Sequence, residues 1–271
     1  DAKLASSITM RGHQIMKLTK QWIEECGYQV IYGDTDSTFV WLGDNHGIKD
    51  IQAVGKHLSV SITERWLAWC AEEYQLDSYL ELEFETHFEQ FIMPTLRGSD
   101  EGSKKRYVGA MSNDQQQLTL TFKGMEQVRS DWSPIARRMQ YHLYELFFKG
   151  EDVIDFLSNE LAAIKCGARD NELIFKKRLR RNVEDYTAKS SPHVKAAKQL
   201  AELLGDVSVT RKGQQIRYIM TLTGAQTIEA KPQNIDYEYY ICKQIQPIAE
   251  PILQLCGHSF DSLVNNQLLL L

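Results

Sequence analysis

Two short apolar segments joined by a tight acidic turn constrain the fold of this chain more than any other feature. Val30–Tyr32 and Thr38–Trp41 have the composition of β-strands, and Gly33 stands at the bend between them. The turn carries Asp34 and Asp36. Carboxylates one residue apart suit a hard divalent cation better than a protein core. The segment therefore predicts a hairpin that supplies half of a metal site for phosphoryl transfer.

Amphipathic helical patterns flank the hairpin. Apolar residues recur at helical spacing from Asp1 to Cys26 and from about Ile48 to Tyr74, and Gly27 stands where the first helix would end. This order predicts an α+β layer in which helices back an antiparallel sheet. With 271 residues, 43% hydrophobic and 25% charged, the chain has the size of two globular domains.

An alternating segment follows the second helical pattern. Apolar and acidic residues alternate from Leu80 to Phe88, which predicts a half-buried strand with Glu81, Glu83 and Glu85 on one face. This acidic face is either solvated or turned toward a metal. Glu85 is the better metal-ligand candidate if its strand lies beside the acidic hairpin.

A basic and aromatic segment precedes the next pair of predicted strands. In Lys104-Lys105-Arg106-Tyr107, strand geometry would place Lys105 and Tyr107 on one face and the other two side chains opposite. Such a cluster suits a nucleic-acid phosphate backbone. A solvated edge strand protected by charge would have the same composition.

The rest of the chain is mainly helical by pattern, with a domain boundary near Val128. Helices are predicted at Pro134–Phe148, Glu151–Lys165, Pro192–Leu204 and Tyr237–Cys256, and a hairpin between Gly213 and Thr227. The segment Lys176–Arg181 holds five cations in six residues. Because the net charge is −5, such local concentration favours a DNA-tracking surface more than an even scatter would.

Other classes of function fit parts of the sequence. The Asp34-x-Asp36-x-Thr38 pattern also fits metal-dependent phosphatases of the haloacid dehalogenase type, which require a parallel α/β sheet. A plain Asx-rich turn with no metal would have the same pattern. A non-catalytic DNA-binding module would keep the basic clusters. The five cysteines form no zinc or disulfide pattern, and no run of 18 apolar residues predicts a membrane span.

The motif Tyr32-Gly33-Asp34-Thr35-Asp36-Ser37 resembles the third polymerase motif of family B DNA polymerases. Lys104–Tyr107 resembles the Lys-Lys-Arg-Tyr element of that family, and Lys123–Trp132 resembles the stretch that leads from palm to thumb. The resemblance implies a partial polymerase palm at residues 1–128, with an antiparallel sheet backed by helices. A mainly helical thumb domain would follow at residues 129–271.

The resemblance also implies the roles of individual residues. Asp36 would bind both catalytic Mg²⁺ ions, Asp34 would lie close by, and Glu85 would be a further carboxylate near the site. Tyr32 and Thr35 would lie beside the incoming nucleotide. The residues implied to contact DNA are Lys104, Lys105, Arg106, Tyr107, Lys123, Lys177, Arg178, Arg180, Arg181 and His193. From its pattern alone, His193 also fits a cap or packing residue.

The implied partners are primer–template DNA and deoxynucleoside triphosphates, with a cytoplasmic, nucleoid-associated location in a bacterium. The terminal Gln267–Leu271 would bind a sliding clamp or simply end a helix. The family's first motif, with another metal-binding Asp, its fingers and its exonuclease would lie upstream of residue 1. The 271-residue chain alone is therefore expected to be inactive in DNA synthesis.

Overall fold

The computed structural model describes residues 2–34, 36–43, 48–94, 105–113, 115–187 and 191–268. The chain divides into two compact units, Asp1–Phe88 and Glu89–Leu271. The boundary expected near Val128 separates a palm domain from a thumb domain, whereas the two units above are defined by compactness. The boundary near Val128 therefore stays a prediction.

The first unit contains two long helices and one hairpin, as the sequence predicts. Helix α1 spans Ala2–Glu25, strand β1 Gln29–Asp34, strand β2 Ser37–Trp41, and helix α2 Ile48–Tyr74.

Aromatic residues of the two helices form the centre of this unit. Trp22 and Trp66 are 4% and 1% exposed, and their ring centroids are 4.6 Å apart. The indole Nε1 of Trp66 donates to Oγ1 of Thr19 at 3.0 Å, which satisfies its one polar group inside the core. Val30 of β1 is buried against the same cluster. The hairpin is thereby fixed on the helices.

The strand predicted from Leu80 to Phe88 is wrong, because the structure assigns no strand to these residues. The alternation itself is confirmed: the apolar side chains are partly buried and the three glutamates are exposed. The backbone N–H of Leu82 donates to Oγ1 of Thr63 on α2 at 3.0 Å. The segment thus lies along a helix, which supplies the inward face that a strand pattern requires.

The second unit begins with a three-stranded antiparallel sheet and continues with helices around a second sheet. Its elements are β3 Gln90–Ile92, β4 Tyr107–Ser112, β5 Leu118–Lys123, α3 Pro134–Lys149, α4 Val153–Lys165, β6 Phe175–Arg178, α5 Pro192–Leu204, β7 Gln215–Thr221, β8 Gly224–Thr227, α6 Tyr237–Tyr240, α7 Gln246–Leu255 and α8 Phe260–Leu268.

Local signals explain where the best-defined helix of this unit begins and ends. Ser133 caps α3 by accepting from the N–H of Ala136, and Pro134 occupies the first helical position. Gly150 ends the helix in the left-handed conformation at φ 70°. The helix predicted from Tyr237 to Cys256 is interrupted by a π-helical turn at Ile241–Ile245.

Helices α3, α4, α5 and α7 and strands β4, β6 and β7 share one hydrophobic core. The α+β class predicted from the sequence is confirmed, with small antiparallel sheets and a helical majority in the second unit. Among the described helices, none combines the length and apolar character needed to cross a membrane.

Candidate functional site

The acidic hairpin is an antiparallel pair with a defined register. Gly33 pairs with Thr38 and Asp34 with Ser37, so Asp36 lies in the turn itself. The pairing shifts between Val30 and Tyr32, a bulge that increases local twist. The register places the backbone of Asp34 at the end of one strand and Asp36 two residues later.

The side chain of Asp36 is exposed at the hairpin tip. Its Oδ1 lies 3.4 Å from the Oγ of Ser37, which is in position to donate a hydrogen bond. Thr35 and the side chain of Asp34 lie outside the described part of the structure. An exposed carboxylate on a fixed turn fits the oxygen ligand that Mg²⁺ prefers.

Small and aromatic residues shape the strands beneath this tip. A Cβ at Gly33 would stand 3.1 Å from Cε of Met16 on α1, so the strand lies close to that helix side chain. The rings of Tyr32 and Phe39 lie 5.6 Å apart across the strands. These contacts hold the acidic turn in a defined position.

The carboxylates expected to complete a metal site are not brought together among the described residues. Glu85 is exposed on the segment that lies along α2. No group of three or more potential metal ligands occurs among the side chains that the structure describes. Among the side chains that the structure describes, Asp36 is the one carboxylate at this turn that could serve as a metal ligand.

The described strands pair only in the antiparallel sense. A phosphatase of the haloacid dehalogenase type needs its Asp-x-Asp motif at the end of a parallel strand. The β1–β2 pairing does not provide that setting, which disfavours the phosphatase alternative.

The Lys-Lys-Arg-Tyr segment leads into β4. Lys104 lies outside the described residues, and Lys105 is exposed with a left-handed φ of 65°. Tyr107 opens β4 opposite Lys123, and its ring lies 5.2 Å from that of Phe91. Because the strand begins only at Tyr107, the strict alternation predicted for Lys105 and Tyr107 does not extend to Lys105.

Arg106 has a carboxylate partner that sequence reasoning missed. Its Nη2 lies 2.6 Å from each carboxylate oxygen of Glu126, which is only 6% exposed. Nε2 of Gln140 on α3 donates to the same carboxylate at 2.9 Å. Glu126 lies 20 residues away in the sequence, so no local pattern could assign this pair.

The predicted basic cluster on β6 lines one side of a surface groove with a volume of about 500 Å³. The strand register explains why Lys212 and Gly213 join this cluster. Arg178 pairs with Gln215, so the turn before β7 lies beside the end of β6. The groove is lined by Ser130, Asp131, Lys176, Lys177, Arg178, Leu179, Arg180, Lys212 and Gly213. Lys212 was not predicted, although its position beside the predicted hairpin at Gly213 could have indicated it.

The groove has a strong positive character. Within the described part of the chain, none of its five cations has a carboxylate within ion-pair distance, and all five are exposed. The carboxylate of Asp131 is already engaged by Arg129, with contacts of 3.0 and 2.7 Å. Those hydrogen bonds, assisted by the charge of Lys177, lower the pKa of Asp131 although burial opposes them.

His193 lies close to the groove but is 6% exposed, and its ring packs edge-on against Tyr186 at 5.5 Å. Burial, together with the nearby charge of Lys177, lowers the pKa of His193. The imidazole is therefore neutral at neutral pH and packs within the unit. Arg181 is exposed, as are the other four cations of Lys176–Arg181.

Comparison with known proteins gives a consistent result. Residues 2–256 match the sequence profile described as DNA polymerase family B. The chain is 42% identical to DNA polymerase II of Escherichia coli strain K12 over 99% of its length. It is 31% identical to DNA polymerase 2 of Aeropyrum pernix over 93% of its length, and 29% identical to a DNA polymerase of Thermococcus gorgonarius over 96%.

The chain spans about a third of the length of these relatives: 34%, 28% and 32% respectively. The similarity therefore covers nearly all of this chain and a limited part of each relative.

Proposed function

The chain belongs to DNA polymerase family B, and from that premise we propose that it supplies part of the palm and the thumb of a DNA-directed DNA polymerase. The observation that carries the proposal is the exposed Asp36 at the tip of an antiparallel hairpin with the sequence Tyr-Gly-Asp-Thr-Asp-Ser. Residues 1–128 would belong to the palm and residues 129–271 to the thumb. The enzyme would be cytoplasmic and nucleoid-associated.

The chemistry is transfer of a deoxynucleotide to the 3′-hydroxyl of a primer. Two bound Mg²⁺ ions would lower the pKa of that hydroxyl and neutralise charge on the leaving pyrophosphate. Asp36 would provide a carboxylate to both, Asp34 would support it, and Glu85 would be a further carboxylate of the complete site. The hairpin would contribute pre-organisation, because the β1–β2 pairing defines where the backbone of the turn lies.

The same hairpin would also border the nucleotide. From the family resemblance, Tyr32 and Thr35 would both face the incoming deoxynucleoside triphosphate. A turn with Gly33 and small hydroxyl residues leaves room for phosphates to approach the carboxylates.

Duplex DNA would be held by the basic groove of the second unit. Five exposed cations without carboxylate partners among the described residues suit phosphate oxygens along a backbone. Lys105, Tyr107 and Lys123 lie together at the start of the β4–β5 pair and would contact DNA near the primer end. Such contacts bind without reading sequence.

The test of the catalytic proposal is Asp36→Asn in the polymerase that carries this chain. Primer extension should be abolished, while affinity for primer–template DNA stays within about 2-fold, because the substitution keeps size and removes only the ligand charge. Asp77→Asn changes another exposed acid of the first unit and is expected to extend primers normally. Near-normal extension by Asp36→Asn would refute the assignment.

The 271-residue chain alone should bind primer–template DNA without incorporating nucleotides. Template-dependent incorporation by this chain would contradict that expectation. The terminal Gln267–Leu271 is proposed to bind a sliding clamp; residues 269–271 lie outside the described structure. Removal of Gln267–Leu271 should then abolish stimulation of synthesis by the clamp.

A further inference from the structure

Arg106 stands between two residues proposed to contact DNA, yet its own side chain is engaged inside the protein. Both carboxylate oxygens of Glu126 lie 2.6 Å from Nη2 of Arg106. The Arg106 side chain is 30% exposed and that of Glu126 only 8%. A buried acid paired with one cation holds that cation firmly, since separating them would leave a charge without a partner.

A second hydrogen-bond layer fixes Glu126. Nε2 of Gln140 donates to its Oε2 at 2.9 Å, and Oε1 of Gln140 accepts from the backbone N–H of Gln127 at 2.7 Å. Gln140 is 1% exposed and belongs to α3. The carboxylate that holds Arg106 is therefore attached to the first helix after the predicted palm–thumb junction.

The backbone beside Arg106 is held in an uncommon conformation. Lys105 has a φ of 65°, a left-handed value that is costly for a residue with a Cβ. On the other side, Gly124 is also left-handed at φ 62°, and a Cβ there would come closer than 3.0 Å to the carbonyl oxygen of Lys105. Such a conformation persists only where the surroundings determine it.

We propose that Arg106 is a positioning residue: the contacts of its Nη2 with both carboxylate oxygens of the buried Glu126 hold Lys105 and Tyr107 in the orientation that binds primer–template DNA. Arg106 then acts through its two neighbours and α3, and makes no essential contact with a phosphate. This inference rests on the proposed function, because it assigns a role within that same DNA-binding surface. It replaces the direct DNA contact that the motif alone implies for Arg106.

The two roles predict opposite effects at Glu126. If Arg106 bound DNA directly, Glu126→Gln would release its guanidinium and remove a negative charge, so DNA affinity would stay the same or increase. If Arg106 is a positioning residue, Glu126→Gln removes the partner that fixes it, and DNA affinity must fall.

The experiment measures binding of a fluorescent primer–template duplex to the 271-residue chain by anisotropy between 50 and 300 mM salt, approximately the range where phosphate contacts dominate. Arg106→Met, Glu126→Gln and Lys105→Ala are each expected to weaken binding and to reduce the slope of log affinity against log salt by about 1. Far-UV circular dichroism at the assay temperature verifies that every variant compared is folded.

Combined variants distinguish action through Lys105 from independent contact. Arg106→Met should weaken binding less in the Lys105→Ala background than in the unchanged chain, because only its effect through Tyr107 is left there. Arg106→Met with Glu126→Gln should bind no worse than either single variant. Arg65→Met is the matched control, because Arg65 pairs with Glu25 at 2.6 Å in the other unit. It should bind like the unchanged chain.

Tighter or unchanged binding by Glu126→Gln would overturn the inference, as would additive losses from Arg106→Met and Lys105→Ala. Either result leaves the proposed function intact, provided that Lys105→Ala weakens binding. If the unchanged chain fails to bind primer–template DNA at 50 mM salt, the DNA-binding part of the proposed function fails, and the inference fails with it.

Discussion

Replacing Gly124 by alanine tests how closely the β5 end is packed against the Lys-Lys-Arg-Tyr segment. Two separate costs are expected. Alanine at the left-handed φ of 62° costs about 1–2 kcal/mol. Its Cβ would also fall closer than 3.0 Å to the carbonyl oxygen of Lys105, and a backbone atom cannot rotate away as a side chain can.

A second glycine of the same unit separates the two costs. Gly150 has a similar φ of 70°, but a Cβ there meets no atom within 4 Å. Gly150→Ala therefore has the conformational cost without the clash. In both variants alanine also lowers the entropy of the unfolded chain, which stabilises the folded state by about 0.4–1 kcal/mol and cancels in the comparison. Overpacking at Gly124 should add about 1–3 kcal/mol to the difference.

Urea unfolding of the two variants measures this difference, and each kcal/mol should also lower Tm by about 2–4 °C in a unit of this size. Gly124→Ala should in addition weaken primer–template binding, because relief of the clash moves Lys105, whereas Gly150→Ala should not. Equal destabilisation by the two substitutions would refute the reasoning, since it would mean that the backbone contact carries no cost.

Three further predictions concern the second unit. Gln244→Leu should cost about 1–3 kcal/mol in urea unfolding, because Oε1 of Gln244 accepts from both N and Oγ of buried Ser133; a cost below that of Ser133→Ala would contradict it. Glu160 has a pKa below its usual value because hydrogen bonds from two arginines outweigh burial, so its stabilisation is present above pH 4.5 and is lost as pH falls through the lowered pKa. Glu160→Gln should therefore flatten acid unfolding in that range, and an unchanged profile would exclude this role. Lys176→Ala should reduce the salt slope of DNA binding by about 1, whereas Lys20→Ala in the first unit should not.

The parts of the fold predicted from sequence are those with local signals. The acidic hairpin was predicted from strand propensity and Gly33, and α3 was predicted over Pro134–Phe148 from its helical pattern. The π-helical turn at Ile241–Ile245 was missed, and Gln244 within it bonds Ser133, 111 residues earlier, a contact that no local pattern predicts.

Alternation at Leu80–Phe88 shows a different limit. A period of two specifies which side chains turn inward, and this was confirmed. It does not specify a hydrogen-bonding partner for the backbone, which defines a strand. Here the N–H of Leu82 bonds the side chain of Thr63 on a helix.

The same distinction decides what the cations of this chain can do. The sequence has 31 lysines and arginines against 36 acids, so composition alone supplies a carboxylate for every cation. Folding pairs Arg106 with Glu126, while Lys176 and Lys212 project into a groove where the one described acid, Asp131, is already bound by Arg129. A phosphate backbone competes poorly for a cation with a buried partner and well for one without. We therefore expect the proposed DNA-binding surface of this chain to consist mainly of cations that folding leaves without carboxylates, and no count of basic residues along the sequence identifies these.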